Sequence, residues 1–318
     1  MRVLVTGAAG FLGTRLIKAL LADRDGSADS VRVIAADTVA CPIEDERVER
    51  RTGSIADAGM VRSIVDRDVD VIYHLAAVVS GQAEEDFDLG MQVNLDGTRQ
   101  LLEACRRLPR PPRVVFASSV AVFGTPLPPI VPEDVVVAPQ SSYGVEKAIG
   151  ELLVSEYSRR GFIDGIACRL PTVAVRSGSA NTALSSFVSG IIREPLAGID
   201  AVCPVPLDTS LWVCSPGIVI ENLRHAGAMD TAGVGSRRMV SLPGLTVTPA
   251  AMLAALERLA GAAVRRRVRC EPDARTTRFV CSWPGALDVT RALALGFRAD
   301  RDVDALVAQY IAERRGRA

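Results

Sequence analysis

The sequence predicts an α/β fold, a doubly wound parallel sheet that carries a smaller C-terminal lobe. Three observations predict it. Short apolar runs alternate with helix-like segments through the first half of the chain. A glycine-spaced turn joins the first of these runs to the first helix. Past Pro171 the alternation decays into shorter elements set apart by Pro, Gly and Ser clusters. The expected organisation is a first domain over residues 1–170 and a second lobe over 171–318, some of whose segments return to the first domain.

Taken in order, Val3-Leu4-Val5 reads as a buried strand. It runs into Thr6-Gly7-Ala8-Ala9-Gly10-Phe11-Leu12-Gly13, and Thr14–Ala22 is expected to continue as a helix. Glycines 7, 10 and 13 give G-x-x-G-x-x-G, a variant of the dinucleotide fingerprint, in the strand–turn–helix setting that the motif requires. Gly7 would permit the tight turn, Gly10 the approach of backbone to a pyrophosphate, and Gly13 close packing of helix on strand. The helix start offers free amides and a positive dipole end to the phosphates. This is a Rossmann-type arrangement, so the first domain is expected to bind the nucleotide and the second lobe the substrate. A second run, Val31-Arg32-Val33-Ile34-Ala35-Ala36, ends in Asp37. An acid there accepts hydrogen bonds from the adenosine ribose and repels a 2′-phosphate. Its neighbour is Thr38 and not an arginine, so the expected cofactor is NAD; the alternative is that Asp37 merely starts a turn. Val69–Leu75, Arg113–Ser118 and Gly165–Leu170 read as further strands, and Asn94–Arg107 as a helix. Each motif falls at the carboxyl end of a strand or just beyond, where open α/β sheets bind ligands.

Lysine occurs only twice, at Lys18 and Lys147, while arginine takes every other basic position. Lys147 stands four residues after Tyr143, so a helix would place both side chains on one face, a turn apart. Tyrosine is a poor base at neutral pH, with a reference pKa of about 10. A nearby ammonium favours the phenolate and makes proton abstraction from an alcohol feasible. Arginine would also bring charge, but its planar fork does not imitate a compact ammonium on a slim stem.

Composition narrows the alternatives. A formal net charge of zero suggests neither nucleic acid nor an anionic membrane as partner, and no uncharged apolar stretch approaches the ~18 residues of a membrane helix. The first strand follows Met1 almost at once, so no signal peptide is expected. Seven scattered cysteines without C-x-x-C fit a reducing cytoplasm, with Cys105 and Cys168 as core fillers. With His74 and His225 the only histidines, neither a histidine-based triad nor a metal centre is expected.

Together these residues resemble the extended short-chain dehydrogenase/reductase superfamily, the group that contains the NAD-dependent nucleotide-sugar epimerases and dehydratases. The resemblance spans essentially the whole chain. His74-Leu75-Ala76-Ala77 looks like the stretch that runs beside the cofactor, Asn94-Leu95-Asp96-Gly97-Thr98 like the family's asparagine helix start, and Phe116–Gly124 like its serine motif. Aligned by the closing glycine, Ser119 falls on the catalytic serine, with Ser118 as the alternative. The resemblance implies catalysis by Ser119, Tyr143 and Lys147. Asn94 would tether Lys147 through a water, or else make a structural hydrogen bond at a helix start. It implies cofactor contacts from Gly7, Gly10, Phe11, Leu12, Gly13, Asp37, Ser54, Ile55, Leu75, Ala76, Ala77, Asn94, Tyr143, Lys147 and Pro171. It also implies a homodimer formed through the helices near Asn94–Arg107 and Ser142–Arg159.

Two features usual in the nucleotide-sugar enzymes are missing. The stretch Leu207–Pro216 has neither the phosphate-binding arginine nor the paired aspartates, and a diphosphate would need such a donor. The remaining matches, among them Ala77–Glu84, Arg169–Val173, Ser186–Gly198 and Trp283–Ala286, resemble family members that oxidise a small sugar acid of the D-erythronate type. Arg176-Ser177-Gly178 departs from them where arginine followed by proline is expected, and Gly53-Ser54-Ile55 where Gly-Asp is common. On the substrate side Ser119 and Tyr143 would meet the reacting hydroxyl; a carboxylate substrate also needs donors, and Ser80, Thr172 and Arg193 are the candidates. For Arg193 a surface or ion-pair role is the alternative, for Trp212 packing, and for His74 a hydrogen-bonded structural place. Three functions compete: an NAD-dependent sugar-acid dehydrogenase, an epimerase or dehydratase that retains NAD, and a non-catalytic NAD(H) sensor. A sensor need not keep the serine, tyrosine and lysine set.

Overall fold

The computed structural model describes residues 1–22, 31–178 and 183–315. The chain divides into two compact units. The first comprises Met1–Ser119, Ser142–Arg169 and Ile220–Val240; the second comprises Val120–Ser141, Leu170–Val219 and Ser241–Ala318. Residues 120–141, ahead of the boundary expected at Leu170, thus go with the second unit, and residues 220–240, well past it, with the first.

The first unit is built on a seven-stranded sheet. Its strands are β1 (Arg2–Thr6), β2 (Arg32–Asp37), β3 (Val48–Thr52), β4 (Val71–His74), β5 (Arg113–Ser119), β6 (Asp164–Leu170) and a short strand Met239–Ser241. Their spatial order is Met239–Ser241, β6, β5, β4, β1, β2, β3. The pairs β1–β2, β2–β3, β1–β4 and β4–β5 are parallel. Strands buried on both faces read as unbroken apolar runs, and Val3, Leu4 and Val5 have no exposed surface. The edge strand β3, Val-Glu-Arg-Arg-Thr, is mostly exposed and escapes the apolar pattern. Its charges discourage pairing with another chain. Leu4, Ile72, Leu101, Val114, Phe116 and Val154 form one packed cluster around this sheet.

Register decides what meets at the sheet's carboxyl edge. Thr6 pairs with both Ala36 and His74, and His74 with Phe116. The glycine turn, Asp37, the segment after His74 and the end of β5 are thereby brought to one side. The segment expected as a single helix from Asn94 begins differently. A π-helical stretch, Met91–Asp96, passes into an α-helix over Gly97–Cys105. Such wide turns cluster at functional sites, and this one holds buried Asn94.

In the second unit the helices Ser186–Leu196, Pro249–Ala260 and Val303–Arg315 surround a core that includes Val188, Ile191, Met252, Leu256, Val307 and Tyr310. Beside them lie a three-stranded sheet (Leu245–Val247, Leu211–Cys214, Thr172–Val173) and a two-stranded one (Ala201–Cys203, Val268–Cys270). Among the described residues no helix is long and apolar enough to cross a membrane.

Candidate active site

The turn after β1 is shaped by its glycines. Gly7 has φ +71°, and a Cβ there would stand 2.7 Å from the Ala76 amide nitrogen. At Gly13 a Cβ would lie 2.1 Å from the Gly7 carbonyl oxygen, so only glycine lets the helix Phe11–Ala22 come this close. Its first-turn amides, at Phe11, Leu12 and Gly13, have no intrahelical acceptor. Asp37 is tied into the same turn: one carboxylate oxygen accepts from the Ala9 amide at 2.9 Å. The other accepts from the Thr38 hydroxyl and the Val39 amide. The Gly53 amide donates to the Asp37 carbonyl, which docks the end of β3 beside it. There the Ser54 hydroxyl accepts from the Ala56 amide, and buried Ile55 packs under Gly97. A turn whose glycines let backbone pack this closely, with a helix start and a carboxylate beside it, fits a dinucleotide.

Behind the segment Leu75–Ala77 sits His74, buried at the end of β4. The Thr98 hydroxyl donates to the Asn94 carbonyl at 2.6 Å, leaving its oxygen to accept from His74 Nε2 at 2.9 Å. His74 Nδ1 then carries no proton and accepts from the Thr6 hydroxyl at 2.7 Å, and Thr6 Oγ1 accepts from the Ala76 amide at 3.3 Å. The imidazole is therefore a fixed neutral connector between the loop after β4 and Asn94, not a base. Burial, with the Lys147 charge adding, pushes its pKa down to about 3.

That depression has a measurable sign. The unfolded chain takes up a proton near the ordinary value of 6.5, which folded His74 refuses until about 3. Its contribution is therefore full above 6.5 and is lost as pH falls, at about 1.4 kcal/mol per pH unit. Urea unfolding of His74→Gln against the wild type is expected to show a stability gap that narrows by roughly 2 kcal/mol from pH 6 to pH 4.5. A gap independent of pH would contradict the buried neutral imidazole.

Tyr143 and Lys147 lie in the helix Ser142–Arg159. A Cβ at Gly150 would come within 2.6 Å of the Phe116 ring, so glycine there lets the helix lie against β5. Lys147 is 2% exposed, and its Nζ donates to the Ala117 carbonyl at 2.8 Å. Nζ lies 4.7 Å from the centre of the Phe116 ring and 5.6 Å from that of Tyr143. Burial lowers its pKa to about 8, against the opposing pull of Glu146 and Glu151. Ser119, two residues past Ala117, is half-buried. Ser118 is buried, and its hydroxyl donates to Glu151 at 2.6 Å. The two serines thus differ in kind: Ser118 serves the core, whereas Ser119 stands partly open.

Asn94 does not bond Lys147 directly. Its amide nitrogen donates to the Val78 carbonyl and to Glu146, and its oxygen accepts from the Val78 amide. Both of its N–H groups are spent on these partners, while its oxygen, with one donor from Val78, keeps a second lone pair. The Asn94 side chain instead joins the loop after β4 to the Tyr143 helix. Of the substrate-side candidates, Ser80 is buried at the start of the helix Ser80–Glu85. In the second unit Thr172 pairs with Val213, next to Pro171. There Arg193 donates to the Arg176 carbonyl at 3.0 Å and pairs with Glu194 at 2.5 Å. Trp212 donates to the Leu242 carbonyl within that unit.

Sequence reasoning missed three members of this constellation. Glu151 lies one turn past Lys147 and forms a two-pronged ion pair with Arg169, both side chains 2% exposed. The signal was available, because Arg169 is a charge inside the apolar run Ile166–Leu170. Glu146, beside Lys147, gave no such signal.

Comparison with known proteins supplies the lineage. Residues 3–207 match the model of the NAD dependent epimerase/dehydratase family. The chain belongs to that family. It is an enzyme of the extended short-chain dehydrogenase/reductase type. It is 51% identical to D-erythronate dehydrogenase of Cupriavidus necator over 98% of both chains. Identity to D-erythronate dehydrogenase of Haemophilus influenzae is 42%, over 98% of this chain and 99% of that one. Among solved structures, one described as the nucleoside-diphosphate-sugar epimerase from Agrobacterium tumefaciens superposes with a TM-score of 0.92 at 40% identity, covering 100% of this chain and 95% of the other.

Proposed function

We propose that this protein oxidises the 2-hydroxyl of a small sugar acid of the D-erythronate type to a 2-oxo acid, with NAD as acceptor and Tyr143 as base. The observation that carries this reading is the seat of Lys147, anchored on the Ala117 carbonyl beside the Tyr143 ring and two residues from Ser119. When bound, NAD takes the hydride from the carbinol carbon. The chain's own residues do the rest. Gly7, Gly10 and Gly13 with the amides of Phe11 and Leu12 hold the pyrophosphate, Asp37 the adenosine ribose, and Ser54 and Ile55 border the adenine. Leu75, Ala76, Ala77 and Pro171 line the cofactor, and Asn94 holds that loop. The Lys147 ammonium holds the other ribose and favours the Tyr143 phenolate, which removes the hydroxyl proton. Ser119 donates to the same oxygen. Ser80, Thr172 and Arg193 are proposed as donors to the substrate carboxylate on the resemblance alone.

The names of the two dehydrogenases, matched over nearly their full length, support the substrate class. The description of the Agrobacterium structure favours a second reading, a nucleotide-sugar epimerase that retains NAD. The test is absorbance at the NADH band with NAD and a panel of four-carbon sugar acids. NADH formed with D-erythronate is the expected result; an epimerised sugar nucleotide without net NADH would replace it with the second reading. A homodimer is proposed through the same two helices. Val145 and Leu152, seven residues apart and exposed on the Tyr143 helix, supply an apolar stripe for it. Seven free thiols support action in a reducing cytoplasm.

A further inference from the structure

Glu146 precedes Lys147 and is 1% exposed. Neighbours in a helix leave it in different directions, so the two do not meet as a hydrogen-bonded pair. One Glu146 oxygen accepts from the Asn94 amide at 2.6 Å. The other, Oε1, accepts no hydrogen bond among the described residues. Space for it exists because residue 90 is glycine; a Cβ there would stand 2.4 Å from Oε1. A buried carboxyl with an unpaired oxygen is costly, so its retention calls for a reason. The charges around it supply one. Facing Lys147 are Glu146 and Glu151 from its own helix, Tyr143 a turn before, and His74 from β4. Facing Glu146 are Asn94, Lys147 and, from the helix Ser80–Glu85, Glu84. His74 is neutral at working pH, and Glu151 is bound to Arg169. That leaves Glu146 as the buried carboxyl near Lys147 without a bound cation among the described residues.

We propose that Glu146 is a positioning residue: its carboxylate keeps the buried Lys147 protonated, and its bond to Asn94 holds the cofactor-side loop at Val78 in place. The proposal rests on the role given to Lys147 above, so its test includes readouts that need no turnover. Lys18 is the only other lysine, so in a Lys18→Arg background 13Cε-lysine labelling gives a single side-chain resonance, that of Lys147. Glu146→Gln keeps an acceptor for Asn94 and removes only the charge. The Lys147 titration midpoint is expected to fall by roughly one pH unit, and the alkaline limb of the kcat profile to move down with it. Glu146→Ala also removes the Asn94 partner, and is expected to weaken NAD binding, measured by calorimetry, about tenfold relative to Glu146→Gln. An unmoved midpoint in Glu146→Gln overturns the electrostatic role even if Glu146→Ala fails to fold. Equal NAD affinity in the two variants overturns the loop role. A midpoint that falls in a protein that oxidises no sugar acid would sink the proposed reaction and leave this inference standing.

Discussion

Tyr143→Phe is expected to lower kcat by about a thousandfold, within the range for a positioned acid–base group. NAD affinity should stay within a few-fold of wild type, because the ring that lies 5.6 Å from Lys147 Nζ is kept and only the hydroxyl is lost. The Lys147–Ala117 bond does not depend on that hydroxyl, so the variant should unfold at the wild-type urea concentration. Single-turnover formation of NADH is the decisive measurement. In the wild type the rate should rise with pH as the phenol ionises, and the variant's residual rate should lose that dependence. A variant that turns over normally would remove tyrosine from the mechanism, and with it the reason for a buried lysine at position 147.

Arg169→Leu is expected to produce the largest loss of stability, about 3–5 kcal/mol. The pair Arg169–Glu151 is 2% exposed on both sides, with bonds of 2.7 and 2.8 Å. Removing the guanidinium strands a carboxylate that also accepts from Ser118. The cost is the desolvation of an unpaired charge, not the net worth of the bridge, so the double variant Arg169→Leu/Glu151→Leu should recover most of the loss. Urea denaturation of the single and double variants separates the two accounts. A double variant as unstable as Arg169→Leu would mean that packing around Arg169, and not its charge, holds this part of the unit together. Because Glu151 is one turn from Lys147, the single variant should also lose activity beyond what unfolding explains.

Much of this fold is legible in the sequence. Apolar runs marked β1, β2, β4, β5 and β6 to within a residue or two, because strands buried on both faces carry their burial in local composition. The edge strand β3 was invisible for the opposite reason, since its charged residues face water. The helix start at Asn94 was anticipated, but its π-helical form was not, since it depends on what packs around it. The short strand Met239–Ser241 gave no signal of its own, because three residues carry no period.

The sequence by itself determined the glycine turn, the acid after β2 and the tyrosine–lysine spacing. All three are local, encoded within one turn or one strand, where spacing alone dictates which groups share a face. The tertiary structure alone decided how residues far apart in the chain divide the work. It separated Ser119 from Ser118 by giving the latter to Glu151, made His74 a neutral connector through Thr6 and Thr98, and turned Asn94 toward Val78 and Glu146. Those assignments follow from sheet register and burial, since a polar group removed from water must spend its hydrogen bonds on whatever neighbour the fold brings to it.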